Sequence, residues 1–137
     1  MENSPVKIWM ADDDRDDLEL MEEFILQQSP AIEVSTFGDG HSVLEYLNAS
    51  SDKDLPCLIV LDYNMPDLSG AEVLAHLKDQ QRFIAIPKII VSTSDAPLNI
   101  TECLDKGATE YFVKPATLTG LQNLAKKLIS FCTPVIS

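Results

Sequence analysis

The chain has 137 residues, which at about 100 to 200 residues per domain predicts one domain with one core. Its 22 acidic and 10 basic side chains give a formal net charge of −12, and 45% of its residues are apolar. Such a chain should fold, but its field should repel nucleic acid and anionic membranes, so we expect no direct nucleic-acid or membrane binding.

The two features that direct a protein to a membrane or out of the cell are not found in the sequence. Residues 1–5 lack the basic and apolar regions of a signal peptide, and no apolar run approaches the ~20 residues of a membrane span. Cys57, Cys103 and Cys132 are odd in number and form no CxxC pair. We therefore expect a cytoplasmic protein whose cysteines are free core thiols.

Along the chain, short apolar runs alternate with segments whose apolar residues recur at helical spacing. The runs that predict strands lie at 6–11, 32–37, 57–61, 89–91 and 111–113. Leu18, Met21 and Ile25 mark the first helical stripe. A helix is predicted from about Pro97 to Gly107, because proline favours the first turn and glycine the position just past a helix end.

Five strand–helix units predict an α/β fold with a doubly wound, five-stranded parallel sheet. The run 57–61 is apolar without alternation, as expected of a central strand that is buried on both faces. Sheets of this kind commonly have the strand order 2-1-3-4-5, and ligands bind beyond the carboxyl ends of strands 1 and 3. The functional residues should therefore lie where these two strands end.

Acidic side chains follow both of those strands. Asp12 and Asp13 come directly after strand 1, and Asp62 follows strand 3. Their mutual repulsion calls for a cation, and Mg²⁺ suits carboxylate oxygens that leave room for phosphate and water. Ser92 and Lys114, at the ends of strands 4 and 5, would add a hydroxyl donor and a positive charge. Such a site suits a phosphoryl group, with an aspartate as the nucleophile.

Structural alternatives exist for several of these residues. Acidic residues at a helix start are ordinary caps, so Asp14, Asp16 and Asp17 are left out of the site. Alone, the serine could simply cap a turn and Lys114 could be a surface lysine. Asp62 differs, because a carboxylate directly after an apolar strand is costly to bury without a partner or a task.

The chain resembles the receiver domains of two-component response regulators over almost its whole length. The matching motifs are the pair Asp12-Asp13, the segment Leu-Asp-Tyr-Asn-Met-Pro at 61–66 followed by Gly70, Ser92, and Tyr-Phe-Val-Lys-Pro at 111–115. The resemblance implies a flavodoxin-like receiver fold spanning 1–137 as a single domain without an output domain.

The resemblance also implies roles for individual residues. Asp62 would be the phosphoacceptor, and Lys114 and Ser92 would contact the phosphoryl group. Mg²⁺ would be held by Asp12, Asp13, Asp62 and the backbone carbonyl of Asn64. The peptide bond before Pro115 would be cis.

The resemblance further implies a conformational switch and protein partners. Ser92 and Tyr111 would be the switch pair, whose movement changes a surface over helix 4, strand 5 and helix 5. The phosphoryl donor would be a histidine kinase or a phosphotransfer protein, as for the small stand-alone receivers that serve phytochrome-type and hybrid kinases. Output would go to an unidentified downstream protein or a homodimer. Apart from self-catalysed phosphoryl transfer and slow self-dephosphorylation, the chain would not be an enzyme.

Other functions fit the sequence less well. Asp-based phosphohydrolases typically need a second Asp two residues after the nucleophile, where this chain has Asn64. A flavin carrier needs a Gly/Ser/Thr loop after strand 1, where this chain has acids. A binding module that works without phosphorylation is the remaining alternative.

Lys88 is an unusual residue to open strand 4, and we expect its ammonium to reach water.

Overall fold

The computed structural model describes residues 6–132, so the expectations for residues 1–5 and 133–137 lie outside the described part of the chain. A five-stranded parallel sheet has the order β2-β1-β3-β4-β5. The strands are β1 Lys7–Ala11, β2 Glu33–Phe37, β3 Leu58–Leu61, β4 Lys88–Ser92 and β5 Glu110–Val113. The predicted fold class and strand order are both confirmed.

Helices cover both faces of the sheet. They are α1 Arg15–Gln28, α2 Gly40–Ala49, α3 Gly70–Lys78, α4 Pro97–Asp105 and α5 Leu118–Ser130. One core joins α2, α3 and α4 to the sheet, and a second joins α1 and α5 to the opposite face. No helix among residues 6–132 is both long enough and apolar enough to cross a bilayer.

The strand register aligns the carboxyl ends of the central strands. Ala11 of β1 pairs with Leu61 of β3, and Leu61 pairs with Ile90 of β4. The Asp62 amide then donates to the Ala11 carbonyl at 2.9 Å. The residues that follow β1 and β3 are therefore neighbours at one edge of the sheet.

Both ends of α4 follow the predicted chemistry. Pro97 is in its first turn, and Gly107, two residues past its end, has φ of +106°. The Ala108 amide returns to the Cys103 carbonyl at 3.0 Å, which completes a Schellman cap.

The expectation of three free thiols was wrong for two of the cysteines. Cys57 and Cys132 form a disulfide with their Cα atoms 5.7 Å apart, and Cys103 is the buried free thiol. The end of α5 packs beside the beginning of β3, which brings together two residues that are 75 positions apart. This proximity arises from tertiary packing and not from cysteine spacing.

The expectation that the Lys88 ammonium reaches water was also wrong. Lys88 is only 6% exposed, and its ammonium donates to the Phe83 carbonyl. The short 3₁₀ helix Gln81–Phe83 ends beside the start of β4, so a backbone acceptor takes the place of solvent. Burial lowers the pKa of Lys88.

Candidate functional site

Three carboxylates meet at the carboxyl edge of the sheet. One oxygen from each of Asp12, Asp13 and Asp62 lies within 4.8 Å of the other two. Asp12 and Asp62 are 6% and 7% exposed, whereas Asp13 is exposed. An open cluster of oxygen ligands of this kind fits a hard divalent cation that keeps part of its water shell.

The Asp12 side chain is fixed by the turn that leads into α1. Its Oδ1 accepts the Asp14 amide at 2.9 Å, and Asp14 in turn caps α1 by accepting the Asp17 amide at 3.2 Å. Burial raises the pKa of Asp12, and hydrogen bonds from Lys114 and the Asp14 amide only partly offset that effect. An added positive charge would therefore favour its ionised form.

Lys114 supplies the positive charge inside the pocket. Its Nζ lies 2.6 Å from Asp12 Oδ2, 2.8 Å from Asp17 Oδ2 and 3.8 Å from Asp62 Oδ2. Burial acts to lower the pKa of Lys114, but the hydrogen bonds to Asp12 and Asp17 and the charge of Asp62 raise it above its ordinary value. The ammonium is therefore charged at neutral pH.

Asp17 is the contact of this pocket that the sequence analysis left out. Asp14 and Asp16, which were set aside with it, form no ion pair with Lys114 in the described structure. All three acids precede or open α1, and a sequence does not distinguish a helix cap from an ion-pair partner that lies 97 positions away from its lysine.

The Lys114–Pro115 peptide is trans, so the predicted cis bond was wrong, and no cis peptide occurs within 6–132. The trans form is the intrinsically favoured isomer of an X–Pro bond. Here it is compatible with a Lys114 amide that donates to the Ser92 carbonyl at 2.8 Å.

The loop after β3 is held tightly against Asp62. A Cβ atom added at Gly70 would collide with the Asp62 carbonyl oxygen, so only glycine permits α3 to start so close to it. The Gly70 amide donates to the Tyr63 carbonyl at 2.9 Å. Asn64 lies exposed in this loop, and a metal contact from its carbonyl remains a prediction.

Ser92 and Tyr111 converge on the loop between β4 and α4. The buried Ser92 hydroxyl accepts the Ser94 amide at 3.2 Å, and the Tyr111 hydroxyl donates to the Ser94 carbonyl at 2.7 Å. The Ser94 hydroxyl accepts from Asn99 Nδ2 at 2.7 Å, which ties the loop to α4. The loop is thus held by both residues of the predicted switch pair.

A second polar connection reaches α4 from the residue after Asp62. The Tyr63 hydroxyl donates to Glu102 Oε1 at 2.7 Å, and Lys106 Nζ donates to Glu102 Oε2 at 2.8 Å. The hydrogen bond from Tyr63 to Glu102, together with burial, raises the pKa of Tyr63 to about 12. This connection could not be predicted from the sequence, because the spacing of Tyr63 and Glu102 carries no signal.

Comparison with known proteins agrees with this geometry. A family model described as the response regulator receiver domain matches residues 8–126. The chain belongs to the family of response regulator receiver domains of two-component systems.

The curated relatives include plant response regulators. The two-component response regulators ARR8 and ARR7 of Arabidopsis thaliana are 34% and 39% identical over 76% and 70% of this chain. These matches cover 52% and 50% of the two relatives. The chain therefore spans about half the length of these relatives.

Solved structures of similar shape include two response regulators. The phosphorylated cyanobacterial phytochrome response regulator RcpA is 30% identical with a TM-score of 0.85, and the match covers 93% of this chain and 94% of RcpA. The Mn²⁺-bound form of Rcp1 is 27% identical with a TM-score of 0.81 over the same shares of the two chains. CheY4 of Vibrio cholerae, at 23% identity and a TM-score of 0.74, shares the fold.

Proposed function

We propose that the chain accepts a phosphoryl group on Asp62 from a histidine kinase or a phosphotransfer protein, in a Mg²⁺-dependent step. The observation that carries the proposal is the junction of three carboxylates and one partly buried ammonium at the switch point of the sheet. The phosphorylated RcpA and the Mn²⁺-bound Rcp1 add support, because both have the same fold.

The transfer is a displacement at phosphorus. The Asp62 carboxylate attacks the phosphoryl group of phosphohistidine, an O–P bond forms, the N–P bond breaks, and its electron pair returns to the imidazole. Lys114, whose Nζ is 3.8 Å from Asp62 Oδ2, is placed to neutralise the charge that arrives on Asp62. The buried Ser92 hydroxyl is a second group that can hydrogen-bond to the phosphoryl oxygens.

The acidic residues fit the expected metal. Asp12, Asp13 and Asp62 would hold Mg²⁺, with the Asn64 carbonyl as a further ligand, because hard oxygen donors within 4.8 Å of one another match its preference. When bound, the ion would supply charge neutralisation for the phosphoryl oxygens.

We propose that output leaves through the surface formed by α4, β5 and α5. Leu98, Val113 and Leu118 lie on these elements and are 84%, 45% and 63% exposed. Ser92 and Tyr111 both hold the Ser94 loop that precedes α4, so a hydroxyl drawn toward a phosphoryl group would alter it. The partner would be a downstream protein or a second copy of the chain.

We propose that the chain works in the cytoplasm, and the redox state of Cys57 and Cys132 in the cell tests this assignment. Disulfide bonds are rare in the reducing cytosol. Trapping free thiols during cell lysis should find Cys57 and Cys132 reduced if the chain works there. A fully oxidised pair would contradict the cytoplasmic assignment.

Phosphorylation itself is tested with Mg²⁺, acetyl phosphate and intact mass spectrometry. Wild type should gain one phosphoryl group and lose it slowly, whereas Asp62→Asn should gain none, because the amide is not a nucleophile. Asp67→Asn is a matched control, since Asp67 is in the same exposed loop at φ of +68°, a conformation that asparagine tolerates.

Each contrary result identifies an alternative. Undiminished labelling of Asp62→Asn would overturn the assignment of the phosphoacceptor. Rapid multiple turnover would indicate a phosphohydrolase, contrary to the proposal that the chain is not an enzyme. No adduct on wild type would indicate a module that works without phosphorylation.

The output surface is tested by amide exchange with and without the beryllofluoride mimic of the phosphoryl group. Wild type should change in α4 and β5, and Ser92→Ala should remain able to bind the mimic while losing most of that change. Ser130→Ala, near the far end of α5, is the control. Exchange that changes only around Asp12, Asp13 and Asp62 in wild type would rule out the proposed surface.

A further inference from the structure

The Lys114 ammonium is shared between two carboxylates, neither of which is Asp62. It lies 2.6 Å from Asp12 and 2.8 Å from Asp17, against 3.8 Å from Asp62. An ammonium has three donors, so these two contacts occupy most of its hydrogen-bonding capacity. In this structure Asp17 therefore competes with Asp62 for the positive charge.

The position of Asp17 is set by the start of α1. Its amide is bound by the Asp14 cap, and its side chain, 44% exposed, extends to the rim of the pocket. Asp16 is the adjacent acid of the same turn, is exposed, and forms no ion pair with Lys114. The two neighbours thus carry the same charge but differ in whether they contact the lysine.

A fourth carboxylate beside the three of the pocket is unfavourable unless a cation offsets its charge. Asp17 shares the Lys114 ammonium with Asp12, and its contact joins the first turn of α1 to the residue that follows β5. The contact is favourable while Asp62 carries only its own charge. A phosphoryl group on Asp62 would add negative charge at the carboxylate that lies 3.8 Å from the ammonium and would draw the ammonium away from Asp17.

We propose that Asp17 is a positioning residue that holds the Lys114 ammonium on the α1 side of the pocket while Asp62 is unmodified. Asp17 gives up the ammonium when a phosphoryl group occupies Asp62. This inference rests on the proposed phosphorylation of Asp62. A contact that is present in one state and lost in the other favours the first state by its own free energy, so Asp17 restrains conversion to the phosphorylated state.

The test is the affinity for beryllofluoride at saturating Mg²⁺, measured by NMR titration. Asp17→Asn should bind it more tightly by roughly two- to fivefold, the size expected for a partly exposed ion pair. Asp16→Asn removes the same charge from the same turn and should leave the affinity unchanged. Asp17→Glu, which keeps the carboxylate, should restore an affinity close to that of wild type.

A second readout needs neither metal nor phosphoryl mimic. The ¹⁵N-detected ammonium signal of Lys114 in metal-free protein should be retained in wild type and in Asp16→Asn. In Asp17→Asn it should shift or broaden, because one of its two close partners has lost its charge.

Distinct results separate this inference from the function on which it rests. If wild type fails to bind beryllofluoride, the proposed function fails and the inference with it. If wild type binds but Asp17→Asn binds equally or more weakly, only the inference is overturned. Equal tightening in Asp16→Asn and Asp17→Asn would also overturn it, since the effect would then be one of general charge.

Discussion

The two edges of the sheet differ in how their polar groups are paired. At the carboxyl edge, Asp12, Asp13 and Asp62 crowd together, and Lys114 contacts two of them, Asp12 and Asp62. At the amino edge, polar and sulfur atoms are paired within the chain. These pairs are Lys7 with Asp54, Arg82 with Asp52, Lys88 with the Phe83 carbonyl, and Cys57 with Cys132.

This difference indicates a division of tasks within one fold. At the amino edge, the Cys57–Cys132 disulfide stabilises the folded state, whereas the burial of the Lys88 charge costs stability. The carboxyl edge retains like-charge repulsion that a bound cation would relieve, and such sites trade stability for activity. Changes at the amino edge should therefore alter stability without altering phosphorylation. Changes at the carboxyl edge should alter metal binding or phosphorylation, and some of them should alter stability as well.

The largest expected effect comes from opening the amino edge at the disulfide. Relative to the oxidised wild type, Cys132→Ser should lower the free energy of unfolding by about 4 kcal/mol, because the bond closes a long loop, here of 75 residues. Thermal unfolding should then occur roughly 15 °C lower, while labelling by acetyl phosphate stays at the wild-type level.

The double variant Cys57→Ser, Cys132→Ser provides the control for this effect. If the bond itself is responsible, the double variant and reduced wild type should lose about as much stability as Cys132→Ser. A large loss of phosphorylation in these proteins would contradict the separation of the two edges.

At the carboxyl edge, Asp13→Asn should have opposite effects on stability and on metal binding. In metal-free buffer it should raise the free energy of unfolding by about 1 kcal/mol, because it relieves like-charge repulsion. The same change should weaken Mg²⁺ binding by at least about tenfold. A melting temperature that falls without metal would contradict the view that these carboxylates repel one another.

The architecture and the edge that carries the site could be predicted from the sequence. The apolar run before Asp62 and the strand–helix alternation indicate a buried parallel sheet, and its topology places the residues after β1 and β3 together. Lys88 opens β4 and Ser92 ends it, as expected, whereas β5 begins one residue earlier than expected, at Glu110, because this residue pairs with Ile89.

Two of the contacts that sequence reasoning missed join residues far apart in the chain. The Cys57–Cys132 bond depends on where the end of α5 packs, and the Lys114–Asp17 pair depends on the orientation of one helix turn. Neither leaves a spacing signal, and for Asp17 the ordinary role of an acid at a helix start offered a sufficient explanation. Tertiary geometry alone distinguishes these alternatives.

A smaller effect is expected from the connection between Tyr63 and α4. Tyr63→Phe should cost about 1 kcal/mol, because it removes one partly buried hydrogen bond to a charged acceptor, and should speed amide exchange in α4. In wild type the hydrogen bonds that Lys106 and Tyr63 donate to Glu102 lower the pKa of Glu102. This contribution is therefore present above the ordinary carboxyl pKa and is lost as pH falls through the lowered value.

The control for that effect is Tyr46→Phe, which changes an exposed tyrosine on α2. It should leave exchange in α4 unchanged. Equal exchange in Tyr63→Phe and wild type would show that the hydroxyl contact does not restrain α4.

The smallest expected effect lies at Lys88, the buried cation of the amino edge. Lys88→Met keeps the long side chain and removes the cost of burying a charge, so we expect a gain of about 1 kcal/mol or less. The Phe83 carbonyl would keep a partner, because the Ile86 amide also donates to it at 3.2 Å.

Burial holds the pKa of Lys88 below that of the unfolded chain, so the unfolded state binds its proton more tightly. The cost in wild type is therefore present at neutral pH and shrinks as pH rises from the lowered pKa toward the ordinary lysine value. Unfolding by urea at neutral pH and at pH near 10 should show the gain of Lys88→Met shrinking at the higher pH. A constant or growing gain would contradict this prediction. It would mean that burying the Lys88 charge does not lower the free energy of unfolding.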